Sequence, residues 1–176
     1  MQANETYIMK TICFFLIILS FSSCGQKPED SSSKSIKKVL VSDSLMPIVD
    51  SLVKFGVVHD AAIGYSGIES EVYKHFKKLQ AKSTDIELIT LTDHDSVAVR
   101  VYAFWALAKR KNTEVKNILT RHINDTTEFW FVSGCTPDIE KVNKFYLDLL
   151  NPEYYGPNCI KLKAEEIEQF SKIIDK

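Results

Sequence analysis

The sequence predicts an all-α fold, a short stack of antiparallel helix pairs. The first observation is an apolar run over residues 96–108, in which Arg100 is the only formal charge. Such a run predicts a helix that is covered on most sides. Apolar residues also recur at helical spacing in other segments, separated by helix-start and helix-stop residues. Finally, the helix starts near Ser70, Ser96 and Thr126 recur at roughly 26–30 residues, as in chains built of repeated helix pairs.

The apolar run is predicted to be the central helix. Ser96 can accept hydrogen bonds from free N–H groups at the helix start, and Asp95 complements the positive end of the helix dipole. Lys109–Lys111 places cations at the opposite end. A run of roughly 13 residues is too short to cross a bilayer, which needs about 20. A buried strand is the alternative, but the length of the run and its four alanines favour a helix.

The other periodic segments are predicted to be helices that pack around this one. Thr84 and Glu87 have the spacing of a capping box. The aromatic residues 129–131 would also suit a strand, and residues 57–67 are predicted to be a connection punctuated by glycines. The predicted helices cover residues 45–55, 70–82, 84–91, 113–123, 125–132, 138–150 and 163–174.

One part of the central helix resembles a known repeat. Residues 95–107, Asp-Ser-Val-Ala-Val-Arg-Val-Tyr-Ala-Phe-Trp-Ala-Leu, resemble the first helix of a HEAT repeat. The resemblance implies a HEAT/armadillo-like α-α superhelix over residues 37–176. It also implies that Arg100 pairs with Asp93, Asp95 or an acid of an adjacent repeat, since an arginine on a buried helix must find partners.

The N-terminal segment, residues 1–23, is predicted to be a lipoprotein signal peptide. Lys10 precedes an apolar core over residues 12–19, and Phe-Ser-Ser-Cys24 places small residues before a cysteine. This pattern resembles the lipobox of bacterial lipoproteins, especially those of Bacteroidota. The resemblance implies cleavage before Cys24 and lipidation of its thiol.

The lipid would anchor the protein to a membrane surface. Each buried CH₂ contributes about 0.8 kcal/mol, so two or three acyl chains form a stable anchor. Cys24 is not followed by Asp, so the resemblance implies delivery to the outer membrane, on either its periplasmic or its surface face. Residues 24–36 are polar and are predicted to be a flexible tether. Met9 suits the start of a signal peptide better than Met1, because Met1 places Glu5 ahead of the positive residue.

Two cysteines follow the tether. Outside the cytoplasm an even pair suggests a disulfide, here between Cys135 and Cys159. The alternative is two buried free thiols. A catalytic cysteine would need a neighbouring histidine, and His122 is the nearest in sequence.

Candidate residues for catalysis or metal binding are few. Asp93-His94-Asp95 offers ligand types, but adjacent residues of one loop rarely converge, and a solvated turn is favoured. Catalytic triads, phosphate loops and zinc spacings do not appear in recognisable form, so we predict no enzyme, no metal and no cofactor. The net charge is −1 and no basic stripe interleaves with aromatics, which disfavours nucleic-acid binding.

The sequence therefore favours a lipid-anchored envelope protein that presents its domain to another, unidentified envelope protein. Stacked repeats offer extended binding faces without catalytic residues. The alternative is an envelope enzyme or small-ligand-binding protein with a pocket lined by Tyr102, Trp105, Trp130 and Tyr154. A deep pocket with converging polar groups would favour this alternative, and a flat apolar patch would favour partner binding.

Overall fold

A computed structural model describes residues 41–154 and 158–176. The chain divides into two units, Met1–Lys34 and Ser35–Lys176, and the described residues all belong to the second. In chain order the elements are α1 (Met46–Phe55), β1 (Val58–Ile63), β2 (Ile68–Glu69), α2 (Glu71–Lys82), α3 (Asp85–Leu91), α4 (Val97–Lys109), α5 (Val115–Arg121), β3 (Glu128–Gly134), β4 (Thr136–Lys141), α6 (Val142–Leu150) and α7 (Ala164–Ile174).

The predictions for the N-terminal segment lie outside the described residues. They are the signal peptide over residues 1–23, lipidation of Cys24 and the tether over residues 24–36.

The described residues form a mixed α/β fold, so the predicted all-α superhelix is wrong. A four-stranded sheet has the order β2-β1-β3-β4. β1 and β3 are parallel, whereas β2 and β4 each pair antiparallel with their neighbour. A parallel pair requires a long crossover connection, and α2 to α5 provide it.

Two of the segments responsible for the error are adjacent in the sequence. Along β3, Phe129 and Phe131 are buried while Trp130 between them is exposed, which is the two-residue period of a half-covered strand. The helix predicted to start at Asp138 begins only at Val142, because residues 136–141 pair with β3.

The connection predicted at residues 57–67 forms the second pair of strands, β1 and β2. Gly64 and Gly67 have positive φ values of 73° and 60°, which the turn between these strands requires and which glycine adopts without strain. Two glycines thus mark a hairpin turn rather than an open loop.

The prediction of a central covered helix is confirmed. α4 packs against five other helices, α1, α2, α3, α5 and α6, and against β1. Every residue from Val101 to Ala108 is buried. Burying each large apolar side chain stabilises the fold by about 1.5–3 kcal/mol, so this helix is the main source of hydrophobic stabilisation.

Tyr102 joins this helical core to the sheet. Its ring stacks on Phe76, with 4.9 Å between the ring centroids. Its hydroxyl accepts a hydrogen bond from His59 N at 2.7 Å and donates one to His59 O at 3.0 Å. β2 pairs only with Ala62 and Ile63, so Tyr102 takes the place of a neighbouring strand at His59.

The capping box predicted at the start of α3 is confirmed. Thr84 Oγ1 accepts from Glu87 N, and Glu87 Oε2 accepts from Thr84 N. Glu87 also accepts from Ser42 N at 2.9 Å, which ties the chain before α1 to α3. Burial disfavours ionisation of Glu87, but these hydrogen bonds outweigh burial and lower its pKa to about 2.

Removing the Tyr102 hydroxyl should destabilise the protein. The substitution Tyr102→Phe leaves the N–H and C=O groups of His59 without this partner, which should lower the free energy of unfolding by about 1–3 kcal/mol. Urea denaturation followed by circular dichroism measures the change. Tyr65→Phe is the matched control, because Tyr65 is 99% exposed and its hydroxyl lies in water. Equal stability of the two variants would contradict the role assigned to Tyr102.

Candidate functional site

One face of the sheet packs on the helices, and the other carries exposed apolar side chains. Phe129 and Phe131 point into the core, whereas Trp130 is 52% exposed and Ile139 is 51% exposed. We call the surface formed by Trp130, Val132, Pro137 and Ile139 the outer face. Trp130, Pro137 and Ile139 are exposed, and Val132 is half-buried.

The outer face is continuous across two strands. Trp130 lies directly opposite Ile139, and Val132 lies directly opposite Pro137. Side chains in such pairs have Cβ atoms about 4.5–5.5 Å apart, so these four residues form one flat apolar patch. A flat patch is the feature that favours partner binding over a ligand pocket.

The edge of β4 is poorly suited to pairing with a further strand. Val142 N donates to Thr127 O, and antiparallel alternation then directs the backbone groups of Pro137, Ile139 and Lys141 away from β3. Pro137 has no N–H, and Ile139 N already donates to Asp138 Oδ1 at 2.8 Å. A partner is therefore expected on the face of the sheet rather than at this edge.

An acidic cleft lies on the opposite side of β4, between the sheet and α6. Its volume is about 450 Å³, and it is lined by Asp60, Phe131, Ser133, Glu140, Lys144, Asp148 and Tyr154. Asp60 Oδ2 accepts from Ser133 Oγ at 3.2 Å. Three carboxylates, those of Asp60, Glu140 and Asp148, thus face the single ammonium group of Lys144.

The two carboxylates beside α6 are electrostatically unfavourable. Burial raises the pKa of Glu140, and the negative charges of Asp148 and Asp138 raise it further. Burial also raises the pKa of Asp148. Their ionised forms lack enough compensating positive charge, since the nearby Lys144 only partly offsets burial.

A second cavity, of about 480 Å³, lies beside the end of β4 and shares Glu140 and Lys144 with the acidic cleft. It is lined by Thr126, Ile139, Glu140, Lys141, Asn143, Lys144, Ile174, Asp175 and Lys176. Three lysines and two acids share this cavity, so its charge is mixed. Ile139 belongs both to the outer face and to this cavity, where Ile174 extends the apolar surface.

Arg100 forms an ion pair with Asp125, not with Asp93 or Asp95. Nη2 of Arg100 lies 3.2 Å from Asp125 Oδ2, while Nη1 donates to the carbonyl oxygens of His94 and Asp95. The turn before α4 presents its carbonyl groups to the arginine, and the carboxylate comes from the loop after α5. The predicted structural role of Arg100 agrees with these contacts, but the predicted partners are corrected.

The turn before α4 also differs from the prediction in its cap. Ser96 occupies the N-cap position without a side-chain hydrogen bond to the helix. Instead, His94 Nδ1 accepts from Ser96 N at 3.0 Å. Asp93 Oδ1 lies 3.1 Å from His122 Nε2, so His122 binds this turn rather than a cysteine. Within residues 41–154 and 158–176, no group of three or more His, Cys, Asp or Glu side chains is arranged to hold a metal ion.

The four aromatic residues proposed for a ligand pocket do not come together. Tyr102 and Trp105 are buried in the core, stacked with 6.2 Å between their ring centroids. Trp130 lies on the outer face, and Tyr154 lines the acidic cleft. The aromatic pocket is therefore corrected to two core residues and two separate surface residues.

The possible disulfide between Cys135 and Cys159 is not formed, and of the two thiols in the alternative only Cys159 is buried. Cys135 is an exposed free thiol in the turn between β3 and β4, and Cys159 is a buried free thiol. Burial raises the pKa of the Cys159 thiol, which disfavours its reactive thiolate form. An even number of cysteines indicated a bond, but the position of Cys135 in the hairpin turn could not be predicted without the strands.

The chain matches no protein-family model, no curated protein and no solved structure. Among the helices of the described residues, none is long and apolar enough to span a membrane. A functional proposal therefore depends on the geometry of the outer face and the acidic cleft.

Replacing Asp148 with asparagine should stabilise the protein at neutral pH. A carboxyl group whose folded-state pKa is raised stabilises the fold less as the pH rises through that pKa. Asp148→Asn removes this loss, so the variant should unfold at a higher temperature than the wild type at pH 7. The difference should vanish below pH 3.8, the ordinary pKa of aspartate, where both states are protonated. Asp50→Asn, at an exposed position of α1, is the control, and an equal gain there would contradict the assignment.

Proposed function

We propose that this protein is a lipid-anchored component of the bacterial cell envelope that binds another protein through the outer face of its sheet. The observation that supports the binding role is the flat apolar patch of Trp130, Val132, Pro137 and Ile139. Isolated exposed apolar residues are common on soluble proteins, but a contiguous patch that joins neighbouring strands is typical of an interaction site.

The aromatic side chain of Trp130 supports binding rather than a purely structural role. Trp130 is among the residue types that contribute most to binding energy at protein interfaces. The exposed half of the Trp130 side chain does not stabilise the isolated domain. A partner that covers this side chain removes its apolar area from water, which favours binding. The proposed role is non-catalytic, because the four side chains of the outer face carry no acid, base or nucleophile.

The anchor complements this role. In the proposal, Cys24 carries the lipid in the outer membrane and the polar residues 25–36 form the tether between the lipid and the domain. A segment of about 12 residues spans at most about 43 Å when fully extended. The domain would remain within that distance of the membrane, which raises its effective concentration for partners on the same surface.

Photo-crosslinking in cells tests the binding role. A benzophenone amino acid replaces Trp130 in one variant and Tyr65 in a matched control, which is fully exposed on the turn between β1 and β2. We expect a discrete adduct with one envelope protein from position 130 and none from position 65. The same adducts from both positions, or no adduct from position 130, would contradict the proposal.

Lipidation is tested separately. Cys24→Ala should abolish incorporation of a labelled fatty acid and release the protein from the membrane fraction, because the thiol that carries the acyl chains is gone. Cys135→Ala is the control, since Cys135 is an exposed cysteine outside the predicted lipobox. Labelling that persists in Cys24→Ala would contradict the anchor without bearing on the outer face.

A further inference from the structure

The segment just before α7 is firmly attached to the rest of the domain. The backbone N–H groups of Ile160 and Leu162 donate to carbonyl oxygens of α4 and α6, at 2.9 and 3.0 Å. Lys161 Nζ donates to two further carbonyl oxygens at the end of α6, at 3.2 and 2.9 Å. Cys159, which precedes these residues, is buried. Hydrogen bonds to neighbouring helices therefore hold the chain in place as far as Leu162.

The helix α7 is attached much more weakly than the segment before it. The structure describes every residue of α7, and none of them is buried. Its apolar side chains Ile167, Phe170 and Ile174 pack against the core, but each is only partly buried. Every other described helix buries several of its residues.

Electrostatic contacts add little to this attachment. Among the described residues, one ion pair joins α7 to another element, between Glu166 and Lys116 of α5. Both side chains are partly exposed, and exposed ion pairs contribute little to stability. The strength of attachment therefore changes at Lys163, the residue at which α7 begins.

α7 covers one side of α6. At one end of α6, Leu162 is bonded to Leu150, and at the other end Ile174 and Asn143 line the same cavity. α7 therefore runs antiparallel along α6, on which it packs. Leu147 lies between these two ends and on the same side of α6 as Asn143, because residues four apart in a helix share a face. Leu147 is only 5% exposed, so α7 shields an apolar strip of α6 from water.

A helix attached in this way should open separately from the rest of the domain. Elements with few buried apolar contacts open at a lower free energy than the whole protein unfolds. α7 has 11 residues. Isolated helices shorter than about 12–15 residues are marginal in water, so α7 should lose its helical structure once it leaves α6.

We propose that α7 is a hinged lid. It opens about Lys163 while the rest of the domain stays folded, and its opening uncovers the apolar strip of α6 at Leu147. This inference goes beyond the proposed function, because the strip lies on α6 and the outer face lies on the opposite side of the sheet.

Hydrogen exchange of the full chain, followed by mass spectrometry, tests the opening. The amides of α7 should exchange at least about tenfold faster than those of α6, as expected for an element that opens by itself. Their exchange should be nearly independent of urea below the unfolding transition, because opening of one short helix exposes little surface.

Two variants separate packing from helix propensity. Phe170→Ala removes an aromatic contact with the core and should speed exchange in α7 by about tenfold. Exchange in α4 and the midpoint of thermal unfolding should stay unchanged. Alanine is a good helix former, so faster exchange would reflect lost packing. Ile173→Ala is the matched control, because Ile173 is 49% exposed, and it should exchange no faster than the wild type.

A thiol placed under the lid tests what the opening uncovers. In Leu147→Cys, a thiol reagent should modify position 147 only when α7 is open. Adding Phe170→Ala should speed this modification by about the factor seen in hydrogen exchange. Cys135 is exposed and serves as the internal reference, since it should react at the same rate in both backgrounds.

Two results would overturn the inference. If Phe170→Ala lowered the midpoint of thermal unfolding and sped exchange in α4 and α7 by the same factor, α7 would unfold only with the whole domain. If modification at position 147 did not respond to Phe170→Ala, α7 would not be the element that covers α6. Neither result bears on crosslinking from position 130, and loss of that crosslink would leave the lid intact.

Discussion

The hydrogen bonds between Tyr102 and His59 determine how the sheet is attached to the rest of the molecule. β1 has a full-length neighbour on one side, β3, and only the two-residue strand β2 on the other. The hydroxyl of Tyr102 satisfies the N–H and C=O groups of His59 that a longer β2 would have satisfied. Because Tyr102 lies in the middle of the buried helix α4, the same residue packs the helical core and fixes the sheet against it.

That attachment makes the sheet one-sided. The helices cover the face that carries Phe129 and Phe131. The connection between β1 and β3 contains α2 to α5, which pack on that side. Trp130 and Ile139 are thus left on the outer face by topology, since side chains alternate along each strand. Substituting them with polar residues would satisfy a purely structural sheet equally well. Their apolar character is the reason to look for a function on this face.

The sequence predicts those parts of the fold that depend on local signals. The run of residues that forms α4 has too few polar residues for an exposed helix. Thr84 and Glu87 are the two residues of a capping box. Both features could therefore be identified from residues close together in the sequence. β3 and β4 could not, because aromatic residues are compatible with either structure, and because β3 also pairs with β1, which lies far from it in the sequence. The partner of Arg100 was missed for the same reason, since Asp125 is brought to it by the fold rather than by spacing. The outer face was not predicted either, because it exists only once β3 and β4 are recognised as strands. The alternation of Phe129, Trp130 and Phe131 was the signal that could have revealed it.

The acidic cleft carries charges that the fold itself does not fully compensate. Raised pKa values at Glu140 and Asp148 mean that their charges oppose folding at neutral pH, because burial and mutual repulsion are incompletely offset by Lys144. A cation bound beside these carboxylates would lower their pKa values, because a ligand that prefers the ionised form shifts the protonation equilibrium towards that form. Binding of the cation would therefore offset part of the destabilisation. Binding of a cation in the cleft should then be coupled to proton release at pH values near these raised pKa values. A partner that contacted the outer face alone would show no such coupling, so proton linkage distinguishes contact with both surfaces from contact with one.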